Sequence, residues 1–581
     1  MSTGLPAGTT RDDGENDMYD KPSWRRRSVA VIAALALALI GLGLGPAGSA
    51  AATASTDSTL RPVRHCADLV GGFHIPGAPT QVTSARELGG AGTTEPRHCL
   101  VVGHVEPAVE FQLKLPLDTY TGRYLQYGCG GLCGAYLQTN FPASCGPKGG
   151  DFAVAATNDG HVGQDVFSPP GQGPNPFFQI TDGTWAAADQ AARDAYFYRA
   201  PHVVSQAAKR IITHFYGAPP RNSYFDGCST GGREALLLAQ RYPTDFDGIV
   251  AGASANYMGP LFGVYFTFLS RTLTDPTGAP VFDADRLTVL HNAVVAACDG
   301  LDGLVDRQIE DPRACGYDPA GVACPAGTDA PTCLTPTQVE RARTLYRGPV
   351  DPQGRRLYPG WESRGSEPAW AGLAFLAPLP DNYLRYVGYP IGTPHSSLAQ
   401  FQFTVDELNR LTAEGVKGNA LDLDLSAFRR AGGKLIMFHG WDDQSIPAIG
   451  TLDYYARLVR AGGGLRETQK WARAFLVPTM YHCFTGGYQL TEFDPLPELV
   501  DWVERGRPVD RVVATGRDPQ TQAVTRTRPV FPYPLRAKYD GSGSVDDAAN
   551  FGPGEPVVSP AHDVIDWAGS YLHEIPGPVA R

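Results

Sequence analysis

The chain has 581 residues, of which 43% are hydrophobic and 19% charged, with 67 Gly and 49 Pro. That length exceeds one ordinary single-core domain and suits a large, loop-rich enzyme core carrying an inserted domain, whereas a coiled coil or a disordered scaffold is excluded. A net charge of −11 and a pI near 5.6 argue against a nucleic-acid partner.

In chain order, Arg25, Arg26 and Arg27 precede an uncharged apolar run from Val29 to Leu44, and small residues follow from Ala47 to Ala54. This predicts an export signal over residues 1–54. The run of 16 residues is short for a membrane span, so a secreted, extracellular protein with no stable membrane partner after signal removal is expected, an uncleaved anchor being the alternative. Export gives the 11 Cys an oxidising compartment, where disulfides are the first reading and zinc ligation the second. Cys129, Cys133 and Cys145 imitate a metal cluster, but no His stands at the expected spacing among them. The odd total leaves at least one thiol without a partner in the chain.

Residues 55–98 are polar and turn-rich around Cys66. VVGHVEPAVEFQLKLP (101–116) reads as strands, and RYLQYGCGGLCG (123–134) as a strand ending in a Gly-rich loop. Residues 185–216 carry Val203, Val204, Ala207, Ile211 and Phe215 at helical spacing. SYFDGCSTGGREALLLAQRYP (223–243) runs from strand through a tight turn into a helix whose Leu236, Leu237 and Leu238 face a core, and DGIVAGASA (247–255) is the next buried strand. Residues 256–425 break this rhythm. It returns at GGKLIMFHGWDD (432–443), a helix across Leu452 to Val459, and RAFLVPTMYHC (473–483). The pattern predicts one α/β core with a mostly parallel sheet, in two parts (55–255 and 426–581), and an inserted cap over 256–425.

Gly227-Cys228-Ser229-Thr230-Gly231 is a G-x-S-x-G nucleophile elbow between strand and helix. Small neighbours permit the sharp turn, which sets the Ser229 hydroxyl at the positive end of the helix, where free N–H groups stabilise an oxyanion. In the α/β-hydrolase fold the acid and the base follow in that order. Asp442 and Asp443 both follow the strand KLIMF, and His482 follows the next apolar run, with only His562 and His573 beyond it in a polar tail. Ser229, an Asp of this pair and His482 thus form a candidate triad. Cys228 precedes the serine and Cys483 follows the histidine, so a triad would bring the two sulfurs within bridging reach.

GCSTGGR with RYPTDFDGIVAGA, HGWDD with PAIGTLDYYARL, and YHC resemble the tannase and feruloyl esterase family, which includes mono(2-hydroxyethyl) terephthalate hydrolases; the resemblance runs from about Cys66 to Phe551. It implies a secreted serine hydrolase acting on small esters of aromatic acids, with Ser229, Asp443 and His482 as the triad and a Cys228–Cys483 bridge. It also implies an oxyanion hole from the N–H of Thr230 and of Gly130 or Gly131. In this chain, however, the family's plain glycine run is interrupted by Cys129 and Cys133. A lipase or peptidase on the same fold, or a catalytically inactive extracellular binding protein, are the competing readings. No organic cofactor is expected.

The stretch CDGLDGLVDRQIEDPRAC (298–315) sets Asp299, Asp302 and Asp306 between two Cys. Their mutual repulsion would be relieved by a hard cation such as calcium, although this is not an EF-hand, and a solvated acidic turn is the alternative. The resemblance implies a structural calcium held by Asp299, Asp302 and Asp306 with the carbonyls of Leu304 and Gln308. Cys298–Cys315 and Cys324–Cys333 would each close a short loop, and Cys66–Cys99 follows from the family pattern. Where relatives often carry a further bridged pair this chain has Phe531 and Pro553, so none is expected there. Tyr257, Phe262, Tyr265, Phe266, Trp370, Phe375 and Phe401 offer rings for an acyl pocket, although core packing is the more ordinary role of such residues.

Overall fold

The computed structural model describes residues 59–142, 151–169, 172–483, 486–575 and 577. The expected export segment and Cys145 lie outside these residues, as does the side chain of Phe375. Ten strands build one sheet: β1 (Gly71–Phe73), β2 (Thr80–Leu88), β3 (His98–Val105), β4 (Val109–Pro116), β5 (Arg123–Tyr127), β6 (Phe152–Thr157), β7 (Asn222–Cys228), β8 (Gly248–Gly252), β9 (Lys434–Gly440) and β10 (Ala472–Val477). They lie in the order β1-β2-β3-β4-β6-β5-β7-β8-β9-β10. Every neighbouring pair from β6 through β10 is parallel, and the pairs from β1 to β6 are antiparallel.

Burial explains the difference between the two halves. β5, β6 and β8 are buried at every position, as strands covered on both faces must be, while β3 mixes buried and half-buried residues. Successive residues of a parallel strand enter opposite cores. Tyr124, Ile249 and Leu435 join a core with helices Ala200–Tyr216 and Thr230–Arg241, whereas Leu125, Val250 and Ile436 pack with Leu496, Leu499 and Trp502 of helix Leu496–Arg505.

β8 and β9 are sheet neighbours in register, so residues 253–433 leave the sheet and return to its next strand. The sequence pattern reads this insertion as irregular because its helices, among them Phe266–Leu273, Ala284–Cys298, Pro336–Arg347 and Val405–Gly415, are short and separated by turns. It belongs to the same compact unit as the rest of Ser58–Arg581. Buried arginines fasten it. Arg241 donates to the carbonyls of Lys417 (2.8 Å) and Asn419 (3.1 Å), and Arg193 donates to Tyr389 O (2.7 Å) beside Glu414.

Three local expectations change. Residues 71–88, read as turn-rich, supply β1 and β2, which pair with the following strands rather than with the parallel block. The helix expected over 185–216 is a 3-10 turn, a short α segment and a π turn before the regular helix Ala200–Tyr216. His573, placed in a polar tail, has a ring only 4% exposed, with Nε2 3.3 Å from Tyr257 Oη and 3.5 Å from Asp453. The C-terminal region also forms two hairpins, β11 (Val512–Arg517) with β12 (Val524–Val530) and β13 (Arg536–Tyr539) with β14 (Phe551–Gly554). Phe531 packs there with Ala537 and Phe551.

One polar tie spans strand and helix. Arg123 on β5 grips Glu504 through two bonds of 2.7 and 2.6 Å, and Tyr224 of β7 donates to the same carboxylate at 2.9 Å. Replacing Glu504 by Ala leaves that guanidinium in a half-dry site without its bidentate partner, so denaturant unfolding with the disulfides intact is expected to show a loss of about 2–3 kcal/mol.

Candidate active site

The turn at Ser229 is as sharp as the motif demands. Ser229 has φ 64° and ψ −122°, a region costly for a side-chain-bearing residue, immediately between β7 and helix Thr230–Arg241. Glycine is required around it because backbone passes so close: a Cβ on Gly227 would lie 2.3 Å from Gly231 O, and one on Gly128 2.5 Å from Gly231 Cα. The strained turn is held by Ser229 N–H donating to Gly252 O (3.0 Å) and Ser229 O accepting from Ala255 N–H (2.9 Å).

Asp443 follows β9 and His482 follows β10, at the same C-terminal edge of the sheet as Ser229. His482 Nδ1 lies 2.7 Å from Asp443 Oδ2. The other carboxylate oxygen accepts the backbone N–H groups of Ser445 (2.9 Å) and Ile446 (2.7 Å). A second imidazole completes the set. His439 Nε2 sits 2.7 Å from Ile446 O, a pure acceptor, so this nitrogen carries the proton and also reaches Asp443 Oδ2 at 3.1 Å. Four donors therefore saturate one carboxylate. Burial works to raise the Asp443 carboxyl, but the His482 ring and the hydrogen bonds from His439 and His482 outweigh it and hold the group well below the usual range.

His439 was visible only as part of HGWDD, where nothing assigned it a task; its spacing of four residues from Asp443 is the signal that would have exposed it. Asp442, the rival acid, receives the opposite treatment. It is buried, neither of its oxygens has a hydrogen-bond partner among the described residues, and burial, with Glu367 and Glu362 nearby, pushes its carboxyl far up. It faces Gly365 rather than His482.

Cys228 and Cys483 are bonded, with Cα atoms 6.0 Å apart. β7 and β10 are three strand intervals apart in the sheet, about 14 Å, so the chain after β10 must double back over the ends of β9 and β8 to make this bond. Trp441 N–H donates to Val477 O (2.8 Å) and Asp442 N–H to Met480 O (3.2 Å) along that path. Gly440 is essential to it, since a Cβ there would lie 2.2 Å from Met480 O. The bridge makes the residues next to Ser229 and His482 covalent neighbours.

The Gly-rich loop lies against the elbow. Thr230 Oγ1 donates to Gly131 O at 2.7 Å and Gly231 N–H to Cys129 O at 2.9 Å. Among the described residues, none accepts from the N–H of Gly130 or of Gly131, and the N–H of Thr230, first in its helix, has no intrahelical partner. The remaining bridges join Cys66–Cys99, Cys298–Cys315, Cys324–Cys333 and Cys129–Cys133. The cap rings are packed rather than presented. Tyr257, Phe262, Tyr265, Trp370 and Phe401 are buried, Tyr257 donating to Asp453 (2.8 Å), Tyr265 to Glu362 (2.6 Å) and Trp370 to Glu362 (3.1 Å).

Two places gather metal-type ligands. In the acidic loop, Asp299 accepts three backbone N–H groups, from Asp306 (3.1 Å), Arg307 (2.9 Å) and Gln308 (3.3 Å), while Asp306 meets Arg528 at 2.5 Å. Asp302 is pushed up by burial, with Asp306 adding repulsion, and Gln308 Oε1 is buried without a partner. The loop has the oxygen-rich composition of a hard-cation site, but Asp299 is already engaged by backbone N–H groups and Asp306 by Arg528. The second place is a buried group of Cys129, Cys133, Asp159 and Glu234, whose ligand atoms lie within 4.8 Å of one another, a spacing that could hold a metal were the two sulfurs thiolates rather than bonded to each other.

The family profile "Tannase and feruloyl esterase" matches residues 94–553. The chain belongs to the tannase and feruloyl esterase family. It is therefore a carboxylic ester hydrolase on an α/β-hydrolase core with an inserted cap. The esterase is 32% identical to a mono(2-hydroxyethyl) terephthalate hydrolase from Piscinibacter sakaiensis, over 79% of this chain and 85% of that protein. It is 31% identical to a probable feruloyl esterase B-1 from Aspergillus flavus, over 74% and 80% of the two chains. The crystal structure of feruloyl esterase B from Aspergillus oryzae superposes with a TM-score of 0.70 at 26% identity, covering 83% of this chain and 98% of that one.

With the Asp443 carboxyl held well below the usual carboxylate range, acid inactivation is expected to require one proton rather than two. The logarithm of kcat/KM is expected to fall with unit slope; a slope of two would show that the carboxylate titrates as well. Asp443→Asn should lower kcat by about 10³–10⁴-fold.

Proposed function

We propose that this esterase hydrolyses esters of aromatic acids through an acyl-enzyme on Ser229. The observation that carries the reading is the convergence at one sheet edge: the Asp443–His482 contact of 2.7 Å together with the Cys228–Cys483 bond. With Nδ1–H donated to an ionised Asp443, His482 presents an unprotonated Nε2. That nitrogen takes the Ser229 proton as Oγ attacks the ester carbonyl. The resulting oxyanion meets the N–H of Thr230 and that of Gly130 or Gly131. The imidazolium then protonates the departing alcohol oxygen, and water, deprotonated by the same nitrogen, cleaves the acyl-enzyme to the free acid. The aromatic acyl group is supported by the named activities of the relatives. Residues 256–425 act as a cap over this site.

Ser229→Ala should abolish turnover of a generic aryl ester; undiminished turnover would remove Ser229 from the mechanism. A panel of methyl ferulate, methyl gallate, a terephthalate monoester and a fatty-acyl ester is expected to show hydrolysis of the aromatic esters over the fatty-acyl one.

Export is part of the same reading, supported by the sequence of residues 1–54 and by five disulfides. No helix among the described residues is long and apolar enough to cross a membrane. A structural calcium would be held by Asp299, Asp302 and Asp306 with the carbonyls of Leu304 and Gln308, neutralising the acidic loop. Elemental analysis of gently purified protein should find one calcium per chain. Its removal by chelator should lower Tm, since an ion at a hundredfold its Kd contributes about 2.7 kcal/mol; purified protein free of calcium, with Tm indifferent to chelator, would refute the site.

A further inference from the structure

The Gly-rich loop is not a plain turn. Cys129 and Cys133 are bonded to each other, both are buried, and the segment they close contains Gly130 and Gly131. Beneath it lie Asp159, just after β6, and Glu234, in the second turn of helix Thr230–Arg241; both are buried. Glu234 Oε2 accepts the N–H of Cys129 at 3.1 Å, and Oε1 lies 3.0 Å from Cys129 Sγ. Asp159 Oδ2 lies 3.5 Å from Cys133 Sγ and 3.7 Å from Cys129 Sγ. Bonded sulfurs have no proton to give, so these are packing contacts on the underside of the loop.

Two carboxylates buried side by side would be costly if both were charged. Burial pushes both acids up, and Glu234 raises Asp159 further; Glu234 accepts from the loop. The acyl-transfer steps use none of these four side chains.

We propose that the Cys129–Cys133 bond and the Asp159–Glu234 acid pair are positioning elements for ester hydrolysis, fixing the Gly130–Gly131 backbone relative to the helix that begins at Thr230. This rests on the oxyanion-hole reading above. The hole needs N–H donors from two separate chain segments to meet at one point, and a misplacement of about 1 Å costs roughly 10²-fold in rate. Glycine peptides left to themselves sample both signs of φ. Gly131, at φ 56°, is held in the less common one. Closing the segment by a covalent bond removes that freedom. Glu234 sets the distance between the two donors, because it rides on the helix whose first N–H is one of them and binds the N–H of the residue preceding Gly130.

The test compares four proteins on a soluble aromatic ester: wild type, Cys129→Ala/Cys133→Ala, Glu234→Ala and Glu234→Gln. The double variant and Glu234→Ala are expected to lose about 10–100-fold in kcat with KM changed less than about threefold. Glu234→Gln, whose amide oxygen still accepts from Cys129, should recover most of that loss. Inhibition by an aryl boronic acid, which mimics the tetrahedral intermediate, should weaken in parallel with kcat, while inhibition by the free aromatic acid should not.

A purely structural role would lower Tm and leave kcat and boronate affinity of the folded enzyme unmoved; that result overturns the proposal. Should the double variant fail to fold, the contrast between Glu234→Ala and Glu234→Gln decides alone, and equal behaviour of the two overturns it. One equivalent of metal in wild type that is absent from the double variant would also overturn it, since the group would then be a metal site. Activity remaining in Ser229→Ala would instead refute the acyl-enzyme reading itself. An inactive Ser229→Ala beside unaffected loop variants would refute only the positioning role.

Discussion

The bond between Cys228 and Cys483 closes a loop across 255 residues of sequence, and the geometry of the site depends on it. A parallel sheet sets the ends of β7 and β10 about 14 Å apart, too far for a hydroxyl on one and an imidazole on the other to share a proton. The chain beyond β10 recrosses two strand ends, and the bridge fixes where it stops. This explains the glycines at positions far apart in sequence: Gly440 lets the returning backbone pass, and Gly252 leaves room for Phe438 and the Cys228 sulfur, which would lie 2.4 and 3.2 Å from a Cβ.

Within that frame, two adjacent aspartates show how donors decide charge. Asp443 receives two backbone N–H groups and two imidazoles, which hold its carboxyl low; Asp442, one residue earlier and equally buried, receives no hydrogen bond among the described residues, and burial pushes its carboxyl up. The consequence for chemistry is direct. In the proposed mechanism the Asp443 contact at Nδ1 leaves Nε2 of His482 to act as the base. His439 contributes by filling the last acceptor position of Asp443 while anchoring itself on Thr451 Oγ1 (2.8 Å) and Ile446 O.

The insertion and the core are joined through polar bonds in dry surroundings. Arg233, on the helix that carries the elbow, is fully buried and donates to the carbonyls of Phe197 (2.6 Å), Tyr196 (2.8 Å) and Gly418 (3.3 Å). The helix that follows Ser229 is therefore the same one that grips the far end of the insertion. A single packed unit follows, in which Glu362 of the insertion is near enough to Asp443 for the latter's charge to help keep its carboxyl high, after burial itself, at about 8.

Local pattern alone carried the reading a long way. Strand, turn and helix around Ser229, the strands ending at Gly440 and Val477, and the return of α/β rhythm after an interruption are all written in hydrophobic periodicity and small residues, because these report interactions between neighbours in sequence. Which of Asp442 and Asp443 meets His482, the contacts of His439, the enclosure of the His573 ring, the pairing of residues 71–88 into the sheet and the closing of Cys129 onto Cys133 over Asp159 and Glu234 are set only by tertiary structure. Each depends on which donors, carbonyls or charges arrive from segments remote in the chain, and a side chain's charge and orientation are set by those arrivals rather than by its own neighbours.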